Sequence, residues 1–112
     1  MIFALLLLTG QTFRCPATLE GHPFLRPSIY NGIPGKQEYE LAPDDEGTRG
    51  SSVRQAWKLS DYREMNLFVR CRYADAQSVV VKDLPKPLVT CTFKWRKTGA
   101  PQPIASPAFV CR

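Results

Sequence analysis

Apolar and polar residues alternate most regularly in the second half of the chain. The pattern covers residues 66–73, 78–83 and 89–96. Its apolar positions in the first of these segments are Leu67, Val69, Cys71 and Tyr73. Because successive side chains of a strand point to opposite faces of a sheet, this period of two predicts three strands with one buried face. The short links between them predict an antiparallel meander.

Shorter runs of β-branched and aromatic residues occur elsewhere, between closely spaced breaks. They predict further strands at residues 13–19, 24–30, 38–41, 55–59 and 108–112. Ten prolines and seven glycines disfavour long helices, and only residues 60–64 are typical of a helical turn, with Ser60 as N-cap. The predicted fold class is therefore all-β or β-rich, a small antiparallel sandwich or open barrel.

One segment between the predicted strands has no aliphatic or aromatic residue. Residues 44–52 read Asp-Asp-Glu-Gly-Thr-Arg-Gly-Ser-Ser, which predicts an exposed loop. Such a loop is either an ordinary solvated connection or a protrusion that enters a partner's cleft, since a rigid frame lowers the ordering cost of binding. On the second interpretation, the partner-binding residues are Asp44, Asp45, Glu46, Arg49, Ser51 and Arg54.

The N-terminus carries an unbroken apolar run from Ile2 to Leu8. The run is too short to span a bilayer but matches the apolar core of a secretory signal. We therefore expect a signal peptide at residues 1–12 and a single soluble β-rich domain at residues 13–112. No Lys or Arg precedes the run, which leaves the position of the start open, and a buried N-terminal strand is the alternative.

Four cysteines in an exported chain predict disulfides, although four cysteines allow three arrangements. A hairpin centred on Pro101 would place Cys91 opposite Cys111, which favours the pairs Cys91–Cys111 and Cys15–Cys71. The cysteines are too widely spaced for a zinc site, and the chain holds a single histidine. No metal and no cofactor is expected.

The net charge of +5 favours an acidic partner. If the alternating apolar residues face the core, the opposite face of the predicted meander carries five cations, Arg70, Arg72, Lys82, Lys94 and Arg96. This basic face indicates either a binding site for an anionic glycan or lipid, or an ordinary solvated sheet surface. Only Phe68 would offer an aromatic ring on that face, so we expect no nucleic-acid partner.

The candidate catalytic groups do not combine into an active site. His22 is the only histidine, and no Ser lies in a G-x-S-x-G motif. The acids at residues 44–46 are adjacent in a polar segment, whereas glycosidase carboxylates usually come from separate elements and include a buried one. No glycine-rich phosphate loop is present. We predict a binding protein and not an enzyme.

Several short motifs recur here in a characteristic order. They are Cys15-Pro16, Tyr30-Asn31-Gly32-Ile33-Pro34, Leu41-Ala42-Pro43-Asp44, Trp57-Lys58-Leu59, Val69-Arg70-Cys71-Arg72-Tyr73, Leu84-Pro85 and Cys91. Together they resemble small exported proteobacterial proteins associated with type VI secretion genes, which are similar to periplasmic lysozyme inhibitors and immunity proteins. The resemblance implies a periplasmic β domain whose partner is a cell-wall hydrolase toxin, and a function of inhibiting that peptidoglycan-degrading enzyme.

Overall fold

The computed structural model describes residues 12–62, 64–99 and 104–112, so the predicted signal lies outside it except for Thr12. These residues form nine strands and one turn of 3-10 helix, Leu59–Tyr62. The strands are β1 (Thr18–Leu19), β2 (His22–Ile33), β3 (Gln37–Glu40), β4 (Asp45–Arg49), β5 (Ser52–Lys58), β6 (Leu67–Tyr73), β7 (Val79–Asp83), β8 (Thr90–Lys97) and β9 (Ile104–Cys111).

The strands build two antiparallel sheets that pack face to face. The first sheet has the order β1-β2-β6-β7, with β3 paired to the end of β2, and the second has the order β4-β5-β8-β9. Apolar side chains of both inner faces meet in one core, as where the Phe24 ring of β2 lies edge-on to Phe93 of β8, with ring centroids 6.3 Å apart. The prediction of an all-β or β-rich antiparallel fold is confirmed, and of the two predicted forms, sandwich and open barrel, the structure has the two sheets of a sandwich.

The predicted meander of three strands is only half correct. Strands β6 and β7 pair as expected, but β8 lies in the other sheet, between β5 and β9. Leu84 and Leu88, at the two ends of the link from β7 to β8, are both buried in the core. The link therefore carries the chain from one sheet to the other, where a hairpin would have kept it in the same sheet.

Two segments of the first half also differ from their predictions. Residues 13–19 contain only an isolated bridge between Phe13 and Cys111 and the two-residue strand β1. Pro16 lies between these two pieces and has no N–H to donate to a ladder. Residues 45–49, predicted to be part of a loop, form edge strand β4, all of whose residues are exposed. Backbone pairing with β5 suffices for such a strand, so its sequence needs no apolar side chain.

The core is anchored by aromatic side chains and two disulfides. Trp57 is buried and its Nε1–H donates to the Leu41 carbonyl oxygen at 3.0 Å. The disulfides join Cys15 to Cys71 and Cys91 to Cys111, the pairs that the hairpin register favoured. Cys91 and Cys111 are directly opposite each other on β8 and β9, where cross-strand side chains come close together.

The hairpin from β2 to β3 depends on Gly32. Its φ of +130° is a conformation that L side chains rarely adopt, and a Cβ atom would overlap the carbonyl oxygen of Gln37. We expect Gly32→Ala to lower the free energy of unfolding by at least ~2 kcal/mol, measured by urea denaturation. Gly47→Ala is the matched control, because a Cβ there meets nothing within 4 Å. Equal stability of the two variants would contradict this account.

Candidate partner-binding site

The segment predicted to enter a partner's cleft forms one arm of a hairpin. Strand β4 pairs with β5 from Asp45 opposite Ala56 to Arg49 opposite Ser52. Gly50 and Ser51 form the turn, and the N–H of Lys97 donates to the Ser51 carbonyl oxygen at 2.7 Å. This β4–β5 hairpin is therefore tied to the rest of the second sheet up to its tip.

All three acids of the hairpin are engaged within the molecule. The Asp44 carboxylate accepts a hydrogen bond from the Lys58 N–H at 2.7 Å, and Glu46 accepts one from the side-chain amide of Gln55 at 3.0 Å. Asp45 lies 3.6 Å from the Arg54 guanidinium, in a pair whose side chains are both well exposed. The acids belong to the base of the hairpin, which leaves Arg49 and Ser51 as the candidate residues nearest its tip.

The predicted basic face divides between the two sheets. Arg70 and Arg72 lie on the outer face of the first sheet, whereas Lys94 and Arg96 lie in β8 of the second. Lys82 is opposite Val69, so it follows the core-facing side of β7 and not the side of Arg70. The prediction of one five-cation surface is therefore wrong. Its cause is the misplaced β8 together with a one-residue error of phase in β7.

Two cations on the outer face of the first sheet, Arg70 and Arg72, are partnered by neighbouring groups. Arg70 forms an ion pair with Glu38, and its guanidinium carbon lies 5.4 Å from the ring centroid of Tyr30. Arg72 donates to the Ser28 hydroxyl at 3.2 Å and to the Tyr30 hydroxyl at 3.0 Å. Phe68 lies on the same outer face and is completely buried, although the sequence predicted an exposed ring there.

Glu38 joins the turn between β2 and β3 to this cation cluster. Its carboxylate accepts a hydrogen bond from the Gly35 N–H at 2.6 Å, which is the main reason its pKa lies below the usual value. Desolvation opposes this effect and raises the pKa, while the positive charge of Arg70 and its hydrogen bond to Glu38 lower the pKa further. Elsewhere, burial raises the pKa of Tyr73, whose hydroxyl donates to the Pro16 carbonyl oxygen at 2.8 Å.

The outer face of the second sheet carries a different set of cations. Arg54 of β5 is directly opposite Lys94 of β8, and Arg96 is opposite Ser52 two pairs further along, on the same face. Arg14 and Arg112 border the same surface at its other end. Sequence reasoning missed these two, and it assigned Arg54 to the loop, because the pairing of β5 with β8 joins distant parts of the chain. Ser52–Lys58 does not alternate regularly between polar and apolar residues, so only Val53 and Trp57 indicated a strand there.

The described ranges contain no group of three or more His, Cys, Asp or Glu residues placed to hold a metal ion. Within those ranges, no helix has the length and apolar character needed to cross a membrane. Two exposed surfaces of the described part of the chain are candidates for contact with a macromolecular partner: the hairpin tip and the cationic outer face of the second sheet.

Comparisons with known proteins show which family and which relative this chain is similar to. A family model described as type VI secretion system Tli immunity protein matches residues 17–112. An Azospirillum brasilense protein, described as an uncharacterized 16.3 kDa protein in the trpG 5′ region, is 34% identical over 77 residues. These cover 64% of this chain and 51% of the relative, so the chain spans about half the length of that curated relative. No solved structure matches the chain.

Proposed function

This chain belongs to the type VI secretion system Tli immunity protein family, and we propose that it neutralises an exported effector toxin by binding it and occluding its active site. The family match carries the proposal, since residues 17–112 include every strand of both sheets. The proposed activity is inhibition by binding, without catalysis of its own.

The proposed place of action is the periplasm, after removal of a signal peptide. Two disulfides support it, because such bonds form and persist in oxidising compartments and are rare in the cytosol. An immunity protein located there meets a toxin delivered from a neighbouring cell before that toxin reaches its substrate.

The proposed mechanism is steric, with the tip of the β4–β5 hairpin entering the toxin's substrate cleft. Two features support it. The hairpin is exposed along the whole of β4, and its turn is held to β8 through the Ser51 carbonyl oxygen. A protrusion that is already ordered loses little conformational entropy on binding, so more of the contact energy appears as affinity.

A protection experiment tests the function. Each type VI effector of the source organism is expressed in the periplasm of a heterologous bacterium, with and without this protein, and survival is measured. We expect the exported protein to restore growth against one effector and a form lacking residues 1–12 to leave the cells unprotected. If the protein protects against none of the effectors, the proposed function is contradicted. If the unexported form protects the cells, the proposed compartment is contradicted.

The sequence-based hypothesis goes further and identifies the target as a peptidoglycan-degrading, lysozyme-like enzyme. Its test is an activity assay on the purified effector that the protection experiment identifies. Release of muropeptides from cell walls and release of fatty acids from phospholipid vesicles are measured side by side. We expect the first activity, and its loss when the immunity protein is added at equal concentration. Lipid hydrolysis alone would reject the cell-wall target while keeping the immunity function.

The steric role of the hairpin is tested at its tip. Because residues 45–49 form strand β4, removal of residues 45–51 would expose the edge of β5, so a point substitution is preferable. We expect Ser51→Trp to weaken inhibition of the effector at least about 30-fold, the effect of losing an interface hot spot. Lys36→Trp places the same side chain on the exposed turn between β2 and β3.

Both tryptophan variants should unfold at the same urea concentration as the parent, because Ser51 and Lys36 are exposed in turns. The inhibition constant of Lys36→Trp should equal that of the parent. Full inhibition by Ser51→Trp would show that the hairpin tip lies outside the interface with the effector. Another surface of the protein would then have to bind the effector.

A further inference from the structure

The outer face of the second sheet concentrates positive charge in two adjoining grooves. One groove of about 610 Å³ is lined by Arg49, Arg54, Lys94 and Arg96, and the next, of about 440 Å³, by Arg14, Arg54, Lys94 and Arg112. We call these six residues the basic face. No Asp or Glu side chain lines either groove among the described residues. The six cations exceed the net charge of +5 on the whole chain, so the remainder of the molecule is close to neutral.

The centre of the basic face is a pair of like charges that the fold does not need. Arg54 and Lys94 are directly opposite each other on neighbouring strands, an arrangement that destabilises a sheet. Asp45 compensates only in part, since it contacts Arg54 at 3.6 Å with 71% of its side chain exposed. A local arrangement that lowers stability without an evident structural gain is typical of a functional surface.

The other outer face of the same molecule shows that a sheet surface here can be neutralised. Its cations Arg70 and Arg72 have a carboxylate, a hydroxyl and an aromatic ring as neighbours, whereas Arg26, directly opposite Arg72, is exposed and has no ion pair with any described residue. On the basic face, by contrast, Lys94 and Arg96 have no ion pair with any described residue and are both exposed. The two faces therefore differ in how many cations lie without a neighbouring carboxylate, and not in the presence of a like-charge pair, since Arg26 and Arg72 form one on the first sheet.

We propose that the basic face docks against an acidic surface of the toxin, next to the cleft that the hairpin enters. The inference rests on the proposed function and adds the chemistry of the partner surface. Continuity supports a single protein partner: Arg49 and Ser52, which flank the hairpin turn, also line the larger groove. A molecule that receives the tip is therefore in contact with the cations at the same time.

Long-range attraction between such surfaces acts mainly on the rate of encounter. Reversing the two central charges in Arg54→Glu/Lys94→Glu should reduce the association rate constant with the effector at low salt at least about 10-fold. It should also flatten the dependence of that rate on ionic strength. The measurement is stopped-flow or surface plasmon resonance on the purified effector found in the protection experiment, at several salt concentrations.

The matched control is Lys36→Glu/Lys82→Glu, which makes the same change of net charge at exposed positions away from the basic face. Its association rate should stay within about twofold of the parent, since net charge alone then differs. Circular dichroism and the urea midpoint verify that both variants are folded. Equal rates for the two variants, whether both reduced or both unchanged, would overturn the docking role of the basic face.

The outcome separates this inference from the function beneath it. If the parent protein binds no effector, the immunity function itself fails before any variant is compared. If the parent binds and Arg54→Glu/Lys94→Glu associates at the parent's rate, only the docking surface is rejected. Purified cell walls and vesicles containing phosphatidylglycerol serve as further probes. If Arg54→Glu/Lys94→Glu loses the parent's binding to those probes while its association with the toxin is unchanged, the basic face is assigned to an anionic glycan or lipid instead.

Discussion

Replacement of Cys15 and Cys71 by alanine is expected to lower the free energy of unfolding by roughly 4 kcal/mol. The bridge joins residues 56 positions apart, so its loss frees a long loop in the unfolded chain. It also removes a fully buried sulfur at Cys71 from the core. The measurement is urea denaturation under non-reducing conditions, with the free energy extrapolated to water.

The second bridge provides an internal control. Cys91 and Cys111 are 20 positions apart, so the double alanine variant should lose roughly 3 kcal/mol, less than the first. Addition of a reductant to the parent should lower its free energy of unfolding to nearly that of the variant that lacks all four cysteines. A loss below about 1 kcal/mol for the Cys15–Cys71 bridge would show that chain entropy is not what this bridge contributes.

A second large effect is expected on the side of the first sheet that faces away from the core. Phe68→Ala should lower the free energy of unfolding by roughly 3 kcal/mol, as for a core phenylalanine. The Phe68 side chain is completely buried and stacks on the Tyr30 ring, with centroids 5.2 Å apart. The Arg70 guanidinium carbon lies 5.7 Å from the Phe68 ring centroid, so a cation–π contact is lost as well.

Val81→Ala is the control for Phe68→Ala. Val81 is opposite Arg70 on the same outer face but is 38% exposed, so its truncation should cost less than about 1 kcal/mol. Urea denaturation compares the two variants directly. Near-equal urea midpoints would mean that the Phe68 ring contributes no more to stability than a surface residue does. The cluster around Phe68 would then not be a second apolar layer.

Local patterns predicted the parts of the fold that depend on neighbouring residues. The pairing of Cys91 with Cys111 followed from their equal distance to a turn, and the alternation from Leu67 to Tyr73 identified β6 and its buried face. In β7, however, three successive valines provide no phase, and the structure places Val80 opposite Cys71. A period-two pattern fixes a face only where polar residues interrupt it.

Long-range pairing limited what could be predicted of the candidate site. Strand β4 has no apolar residue because it is an edge strand with both faces exposed, so its composition resembles that of a loop. The basic face exists only because β5 lies beside β8, which brings Arg54 next to Lys94. No periodicity within either segment encodes that neighbour. The charges were visible in the sequence, but their grouping was not.

The strand order also determines when the chain can fold. Asn31 of β2 pairs with Leu67 of β6, and Ser52 of β5 pairs with Arg96 of β8. Each sheet therefore forms only after strands far apart in the sequence have both been synthesised. Pairing between such distant segments is slow. A nascent chain cannot complete the first sheet before β7 has emerged, nor the second sheet before β9 has emerged. Under the proposed export, a chain whose sheets close late would pass through a membrane channel in unfolded form and would form the proposed binding surfaces after release.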